Sequence, residues 1–251
     1  MPRVTRLARG VKRPRTDKDQ DGPRVDARSE RWREHRVQVR NELVEAAIRA
    51  LDKIGPEVTM DDIAREAGAA KPKLYRHFSD KLDLYSAIVE NVQGLLWGRI
   101  MASINLLADP AGELVTRSAA EYALVVTEHP NVFRFLVHSH FTRQADESER
   151  AIAAAQDSAR RIAAMFAEAM GEQNVDIEST ELVTFAIFGT VASATDWWLG
   201  ANRMVGHPMP VEEFVRYLSA LIEGMIGATA RISGIVIDPQ QPLHAAFAAK
   251  E

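Results

Sequence analysis

The sequence contains no cysteine among its 251 residues. It therefore has no disulfide framework, no thiolate metal site and no cysteine nucleophile. A chain without cysteine suits a reducing compartment, and we predict a cytoplasmic protein. The sequence also lacks a GxSxG nucleophile elbow and an HExxH zinc motif. We accordingly predict no enzyme, no catalytic residue, no metal site and no cofactor.

Long hydrophobic runs are also scarce. The most apolar stretch, residues 185–200, has 16 residues and includes Asp196. It is predicted to be too short and too polar to cross a bilayer, which takes about 20 apolar residues. The first residues carry arginines instead of the apolar segment of a secretory signal. We predict no membrane partner.

Charge is distributed unevenly along the chain, although the net charge is only −4. Residues 1–40 contain 13 Lys and Arg against 6 Asp and Glu, whereas residues 91–251 contain 11 against 19. A basic end beside an acidic body indicates a polyanion partner for the basic end, although a solubilising tail has the same composition. In residues 1–27, five arginines and a lysine precede the first acidic residue, and three prolines interrupt any regular pattern, which predicts a disordered basic arm.

From Arg28 onward, apolar residues recur every three or four positions and no stretch alternates with period two, which predicts an all-α fold. The first helix is predicted to end at Gly55-Pro56. Its apolar stripe consists of Val39, Leu43, Ala47, Leu51 and Ile54. Thr59 and Asp62 have the spacing of a capping box at the start of a second, short helix.

Gly68 ends this second helix, and Lys71-Pro72 opens another short one with Leu74 and Phe78 facing inward. Two short helices around a tight turn form a helix-turn-helix pattern, which also occurs as an ordinary helical hairpin. The outward side chains of the later helix are Lys71, Lys73, Arg76 and His77. Such a helix suits a DNA major groove.

Residues 39–90, which include "VTMDDIAREAGAAKPKLYRHFSDKLDLYSAIVE", resemble the DNA-binding domain of TetR-family transcriptional regulators. The matching positions are Gly55, Thr59, Ile63-Ala64, Ala67-Gly68, Leu74-Tyr75, His77-Phe78, Lys81 and Leu84. One departure is Ala70, where many members carry a serine, so a hydroxyl cap is missing before the recognition helix.

The resemblance implies two kinds of DNA contact. Phosphates would be contacted by Thr59, Tyr75, His77 and Lys81, and bases by Lys71, Pro72, Lys73 and Arg76. Five arginines that follow the basic arm lie nearest the first apolar helix and could reach DNA: Arg28, Arg31, Arg33, Arg36 and Arg40. The basic arm would either enter the minor groove or act as a nonspecific electrostatic tether.

The remaining sequence resembles the helical C-terminal domain of the same family in architecture only. Its predicted helices span 81–107, 111–128, 131–140, 145–170, 179–203 and 211–231. We divide the chain into the arm, a helix-turn-helix domain over 28–85, an effector-binding and dimerisation domain over 86–231, and a tail over 232–251 that wraps on the body or frays. By resemblance, helices 179–203 and 211–231 would form a homodimer interface.

A pocket inside each subunit is the other family feature. Its predicted lining is Trp97, Ile100, Tyr122, Val126, Phe133, Val137, Phe141, Phe166, Phe185, Phe188 and Trp198. This apolar set predicts a lipophilic effector with a small polar head, such as a fatty acyl compound, an acyl-CoA, a steroid-like molecule or a drug. The predicted function is a homodimeric repressor that its effector releases from a double-stranded DNA operator. Alternatives are a regulator without an effector, one whose ligand is a co-repressor or activator, and a helical enzyme or carrier.

Overall fold

The computed structural model describes residues 27–141, 145–170, 177–204 and 209–249. The predicted arm therefore lies outside the described residues, apart from Ala27. The helices are α1 Ala27–Ile54, α2 Met60–Glu66, α3 Lys71–His77, α4 Lys81–Ser103, α5 Ala111–Glu128, α6 Pro130–Phe141, α7 Ala145–Met170, α8 Ile177–Met204, α9 Val211–Ile232 and α10 Leu243–Ala246. The all-α prediction is confirmed.

The turns around α2 form as the sequence predicts. Thr59 Oγ1 accepts a hydrogen bond from the Asp62 amide at 3.2 Å, and Asp62 Oδ2 accepts one from the Thr59 amide at 3.1 Å. This reciprocal capping box satisfies two amide groups that the helix itself leaves unpaired. Gly55 and Gly68 have φ values of 103° and 59°, which L-residues with a side chain rarely adopt. Ala70 provides no side-chain cap for α3.

A small apolar core fixes α3 against its neighbours. Leu74 and Phe78 are completely buried, as is Leu51 on α1. Ile54, the last residue of the apolar stripe on α1, is 53% exposed. That residue occupies the last position of α1, just before Gly55 turns the chain away, so the helical stripe no longer has a partner there.

The helices from α5 to α9 build the larger apolar core. α5 packs against α4 and α9, and α8 packs against α6, α7 and α9. Trp198 of α8 stacks on Phe214 of α9 with ring centroids 4.2 Å apart and planes 6° apart. The predicted spans agree with the observed helices except that α4 ends at Ser103, four residues early, where Ile104 is already extended.

The C-terminal segment corrects the expectation of a chain without strands. β1 Ile235–Ile237 pairs antiparallel with β2 Phe247–Ala249, with Val236 opposite Ala248. Strands of three residues are too short to give a period-two signal, so the sequence pattern missed them. Between the strands, Pro239 and Gln241 accept hydrogen bonds from the amides of Gly112 and Ala111 at the start of α5. A Cβ on Gly112 would lie 3.3 Å from Pro239, so this close approach favours glycine.

Helix α8 contains a longer apolar stretch than the 16 residues that the sequence pattern indicated. The stretch Glu178–Gly200 has 23 residues and is long and apolar enough to span a bilayer by length and composition. Only 22% of its most apolar window is buried inside the subunit. A helix at an interface between protein subunits meets the same criteria, so this property does not indicate a membrane protein.

Candidate nucleic-acid interface and internal cluster

The outer surface of α3 is basic. Lys71, Lys73 and Arg76 are exposed, and Tyr75 among them is 47% exposed. Because Leu74 is fully buried, the helix has a fixed rotation about its axis. The predicted base-contacting residues, with the exposed Pro72, therefore share one accessible surface. A helix of this kind is the element that helix-turn-helix proteins place in a major groove.

Arg40 holds the C-terminal end of this helix. Its guanidinium donates one hydrogen bond to the backbone carbonyl of His77 and another to Asp83 Oδ1 at 2.7 Å. The same group lies 4.3 Å from the ring centroid of Phe78. The hydrogen bond from Arg40 keeps the pKa of the Asp83 carboxyl below its usual value. Arg40, predicted from the sequence as a DNA contact, thus has an internal structural role that sequence reasoning missed.

The other predicted phosphate contacts differ in accessibility. Lys81 and Thr59 are exposed, whereas His77 is half-buried. The Thr59 hydroxyl lies 2.6 Å from Asp62 Oδ2, and the hydrogen bond from Thr59 lowers the pKa of that carboxyl. Arg36 lies on an exposed part of α1. The structure does not test which of these residues contact DNA, so the predicted contacts stay predictions.

A polar pair lies inside the apolar C-terminal helices. The hydroxyls of Tyr122 on α5 and Thr195 on α8 lie 2.7 Å apart, and Thr195 is completely buried. Phe133 packs edge-on against the Tyr122 ring, with centroids 5.6 Å apart and planes 88° apart. Burial raises the pKa of the Tyr122 hydroxyl, so this pair is neutral at physiological pH. We refer to Tyr122, Thr195, Phe133 and the buried Val126 as the internal cluster.

The other predicted pocket residues in the described ranges are less buried than the internal cluster or pack elsewhere. Ile100, Phe185 and Phe188 are half-buried, and Trp97 is 42% exposed. Trp198 is occupied by its stack on Phe214 and by a hydrogen bond from its Nε1 to the Met209 carbonyl at 2.9 Å. The side chains of Val137, Phe141 and Phe166 lie outside the described residues. Within the described part of the chain, no group of three His, Asp or Glu side chains has the arrangement of a metal site.

A polar link joins the end of α1 to the start of α6. Asp52 Oδ2 lies 2.7 Å from His129 Nδ1, and the Asp52 carbonyl accepts a hydrogen bond from Asn131 Nδ2 at 2.9 Å. These residues are nearly 80 positions apart in the sequence. No local pattern could have paired them, because His129-Pro130 predicted only a helix break. The link connects the helix-turn-helix to the helices that contain the internal cluster.

Sequence families match most of the chain. The model for bacterial regulatory proteins of the tetR family matches residues 43–88, and that for the tetracyclin repressor-like C-terminal domain matches residues 109–235. A helix-turn-helix-type transcriptional regulator of Mycobacterium tuberculosis is 33% identical over 203 residues, covering 79% of this chain and 81% of its own.

Solved structures share the fold. A tetR-family transcriptional regulator from Streptomyces coelicolor has a TM-score of 0.58 and 22% identity, covering 79% of this chain and 83% of its own. FadR from Bacillus subtilis, solved in complex with stearoyl-CoA, has a TM-score of 0.53 and 15% identity, covering 74% and 96%. Identities this low show a common fold only.

The exposed basic helix, its buried support and these matches define a helix-turn-helix DNA-binding protein. The chain belongs to the TetR family of bacterial regulatory proteins, and it is a DNA-binding transcriptional regulator.

Proposed function

We propose that this regulator is a homodimeric repressor that a lipophilic small molecule releases from its operator. The observation that carries the proposal is the exposed basic surface of α3, which is fixed to the same subunit that contains a neutral polar pair in an apolar interior. The first feature binds DNA, and the second suits a ligand with an apolar body and a small polar head.

Dimerisation is supported by the surface of the last long helices. Leu182 and Trp197 of α8 are 67% and 58% exposed, and Tyr217 and Leu221 of α9 are 53% and 50% exposed. Large apolar side chains that remain exposed on two neighbouring helices are typical of a protein interface. A twofold dimer would present two α3 helices to half-sites one DNA turn apart, about 34–36 Å. A single seven-residue helix buries too little surface for specific affinity.

The internal cluster supports the class of effector. Its polar groups are the hydroxyls of Tyr122 and Thr195, each of which can donate and accept a hydrogen bond. A carbonyl or hydroxyl on the ligand would replace one partner of this pair while apolar groups fill the surroundings. A fatty acyl compound or an acyl-CoA is one such ligand, and the stearoyl-CoA bound to the B. subtilis protein makes that class the first to test.

The Asp52 link gives a route between the two regions. A ligand that displaces α6 would move His129 and Asn131, which hold the end of α1. Release from DNA requires that the ligand favours the non-binding conformation by a few kcal/mol.

The test begins with native mass spectrometry of the protein purified without added ligand. We expect a dimer, with retained lipid-sized mass if the effector co-purifies. An operator selected from a random duplex library is then titrated with protein in the presence and absence of stearoyl-CoA. Weaker operator binding supports release, whereas tighter binding identifies a co-repressor and contradicts the proposed sign. If neither stearoyl-CoA nor the retained molecule changes operator affinity, the proposed control by a lipophilic effector is wrong.

Two matched variants complete this test. Lys73→Gln removes a charge from the exposed surface of α3, and Arg216→Gln removes one from the exposed surface of α9. Operator affinity should fall only for Lys73→Gln. Equal effects of the two variants would show that net charge, instead of the α3 surface, determines binding.

A further inference from the structure

Helix α2 places a carboxylate beside the first lysine of α3. Lys71 Nζ donates a hydrogen bond to Asp61 Oδ2 at 2.9 Å, across the turn of the helix-turn-helix. The two side chains remain 46% and 58% exposed, so the pair lies on the outer surface. Within the described residues, Lys73 and Arg76 have no such acidic partner. The basic surface of α3 therefore contains one neutralised cation and two that carry their charge outward.

The other acids of α2 are used in different directions. Asp62 closes the capping box and pairs with Arg65, while Glu66 pairs with Lys53 of α1 at 2.7 Å. Among the acids of this helix, Asp61 is thus the one that the structure pairs with α3. The hydrogen bond that Lys71 donates to Asp61 also raises the pKa of Lys71, which keeps this ammonium charged while it is paired.

Neutralisation affects the two modes of DNA binding differently. A lysine that contacts phosphate contributes to affinity for any sequence by releasing a condensed counterion. A lysine that is already paired with a carboxylate contributes little to this sequence-independent affinity, and the carboxylate itself repels the phosphate backbone. The paired ammonium nevertheless keeps two N–H donors, which a guanine edge with its O6 and N7 acceptors can use.

We propose that Asp61 is a specificity-determining residue, which withholds Lys71 from sequence-independent phosphate binding. DNA recognition then depends more on contacts with bases and less on charge. The inference rests on the proposed role of α3 as the DNA-contacting helix. Asp61 lies on α2, and its negative charge opposes DNA binding, whereas the charges of Lys73 and Arg76 favour it.

The test uses the full chain and a duplex of about 30 base pairs without a selected sequence, long enough for both half-sites. Fluorescence anisotropy gives the dissociation constant between about 50 and 200 mM salt. Asp61→Asn should tighten binding by about 5- to 10-fold per bound subunit, and steepen the salt dependence by about 0.9 for each additional phosphate contact. The ratio of operator to nonspecific affinity should fall.

Glu66→Gln is the matched control, because it removes the same charge from the same helix without facing α3. It should leave nonspecific affinity unchanged. Lys71→Gln should have little effect on nonspecific affinity in the wild-type background, although it should weaken operator binding, and it should cancel the nonspecific gain in the Asp61→Asn background. Such a double-mutant cycle isolates the pair from the general effect of charge.

Three results would overturn the inference: no tightening by Asp61→Asn, an equal gain from Glu66→Gln, or a gain that persists without Lys71. Failure of the underlying role of α3 has a separate signature. Lys73→Gln, which involves no acidic partner in the described residues, should weaken nonspecific binding. If it does not, α3 is not the DNA-contacting helix, whatever Asp61→Asn does.

Discussion

The helix-turn-helix and the α5–α9 helices distribute polar and apolar groups in opposite ways. In the helix-turn-helix, Leu74 and Phe78 are fully buried, while Arg40 and the exposed cations of α3 lie at the surface or near it. In the larger region a hydrogen-bonded pair lies inside, whereas Trp197 is among the large apolar residues that are exposed. The first region buries its apolar side chains beneath a basic surface. For the second, we propose that the exposed apolar surface meets another subunit and that the interior takes a ligand.

The largest expected effect concerns the core of the helix-turn-helix. Leu74→Ala should lower the free energy of unfolding by about 2–5 kcal/mol, because it leaves a cavity under a seven-residue helix. Urea denaturation followed by circular dichroism measures this loss. Tyr75→Ala, which changes the exposed neighbour, should cost about 0.5 kcal/mol or less. Equal losses would mean that burial of Leu74 does not hold α3.

The next effect concerns the apolar surface of α9. Leu221→Glu should weaken dimerisation by about 2 kcal/mol or more, roughly 30-fold, by placing a charge in the proposed subunit interface. Sedimentation equilibrium gives the dimer dissociation constant. Leu107→Glu is the control, since Leu107 is 68% exposed in the turn before α5. A dimer that tolerates Leu221→Glu would place the interface elsewhere.

The hydroxyl pair of Tyr122 and Thr195 distinguishes the interior of the larger region from the purely apolar core around Leu74. Tyr122→Phe should lower the free energy of unfolding by about 1–3 kcal/mol, because it leaves the buried Thr195 hydroxyl without its partner. Adding Thr195→Val should recover part of this loss, since neither polar group is then left unpaired. Thermal unfolding of the two variants measures the difference. Additive losses would show that the two hydroxyls do not act as a pair.

The smallest effect depends on pH and concerns the surface of the helix-turn-helix. The pKa of Asp83 lies below its ordinary value of 3.8, because of its hydrogen bond from Arg40. A depressed carboxyl pKa gives stability that is present above pH 3.8 and is lost as pH falls through the folded-state pKa. Asp83→Asn should therefore cost about 1 kcal/mol at pH 7 for this partly exposed pair.

This difference from wild type should shrink below pH 3.8 as the wild-type carboxyl takes up its proton. Urea denaturation at pH 7 and at pH 3 checks it. Asp157→Asn is a suitable control, because its pair with Arg160 is more exposed, at 62% and 57%. A cost for Asp83→Asn that does not change with pH would mean that its charge has no part in the effect.

Local patterns explain which parts of the molecule could be predicted. The Thr59 capping box and the inward Leu74 depend on residues within a few positions, so the sequence contains the whole signal. The Arg40 contact with Asp83 joins residues 43 positions apart, so no local pattern reveals it. From the sequence alone, a basic residue close to the basic arm is as easily interpreted as a DNA contact. The sequence also predicted an apolar pocket lining, yet it could not show that Trp198 is occupied by Phe214.

The hydrogen bonds that Pro239 and Gln241 accept at the start of α5 also bear on the order of folding. A chain leaves the ribosome from its N-terminus, and regions fold as their partners become available. Partners that lie within residues 43–88 are available early, whereas the amides of Ala111 and Gly112 gain their acceptors only when residues 239 and 241 have been made. The newborn chain thus passes through a stage at which residues 43–88 have been made while the first two amides of α5 still lack their acceptors.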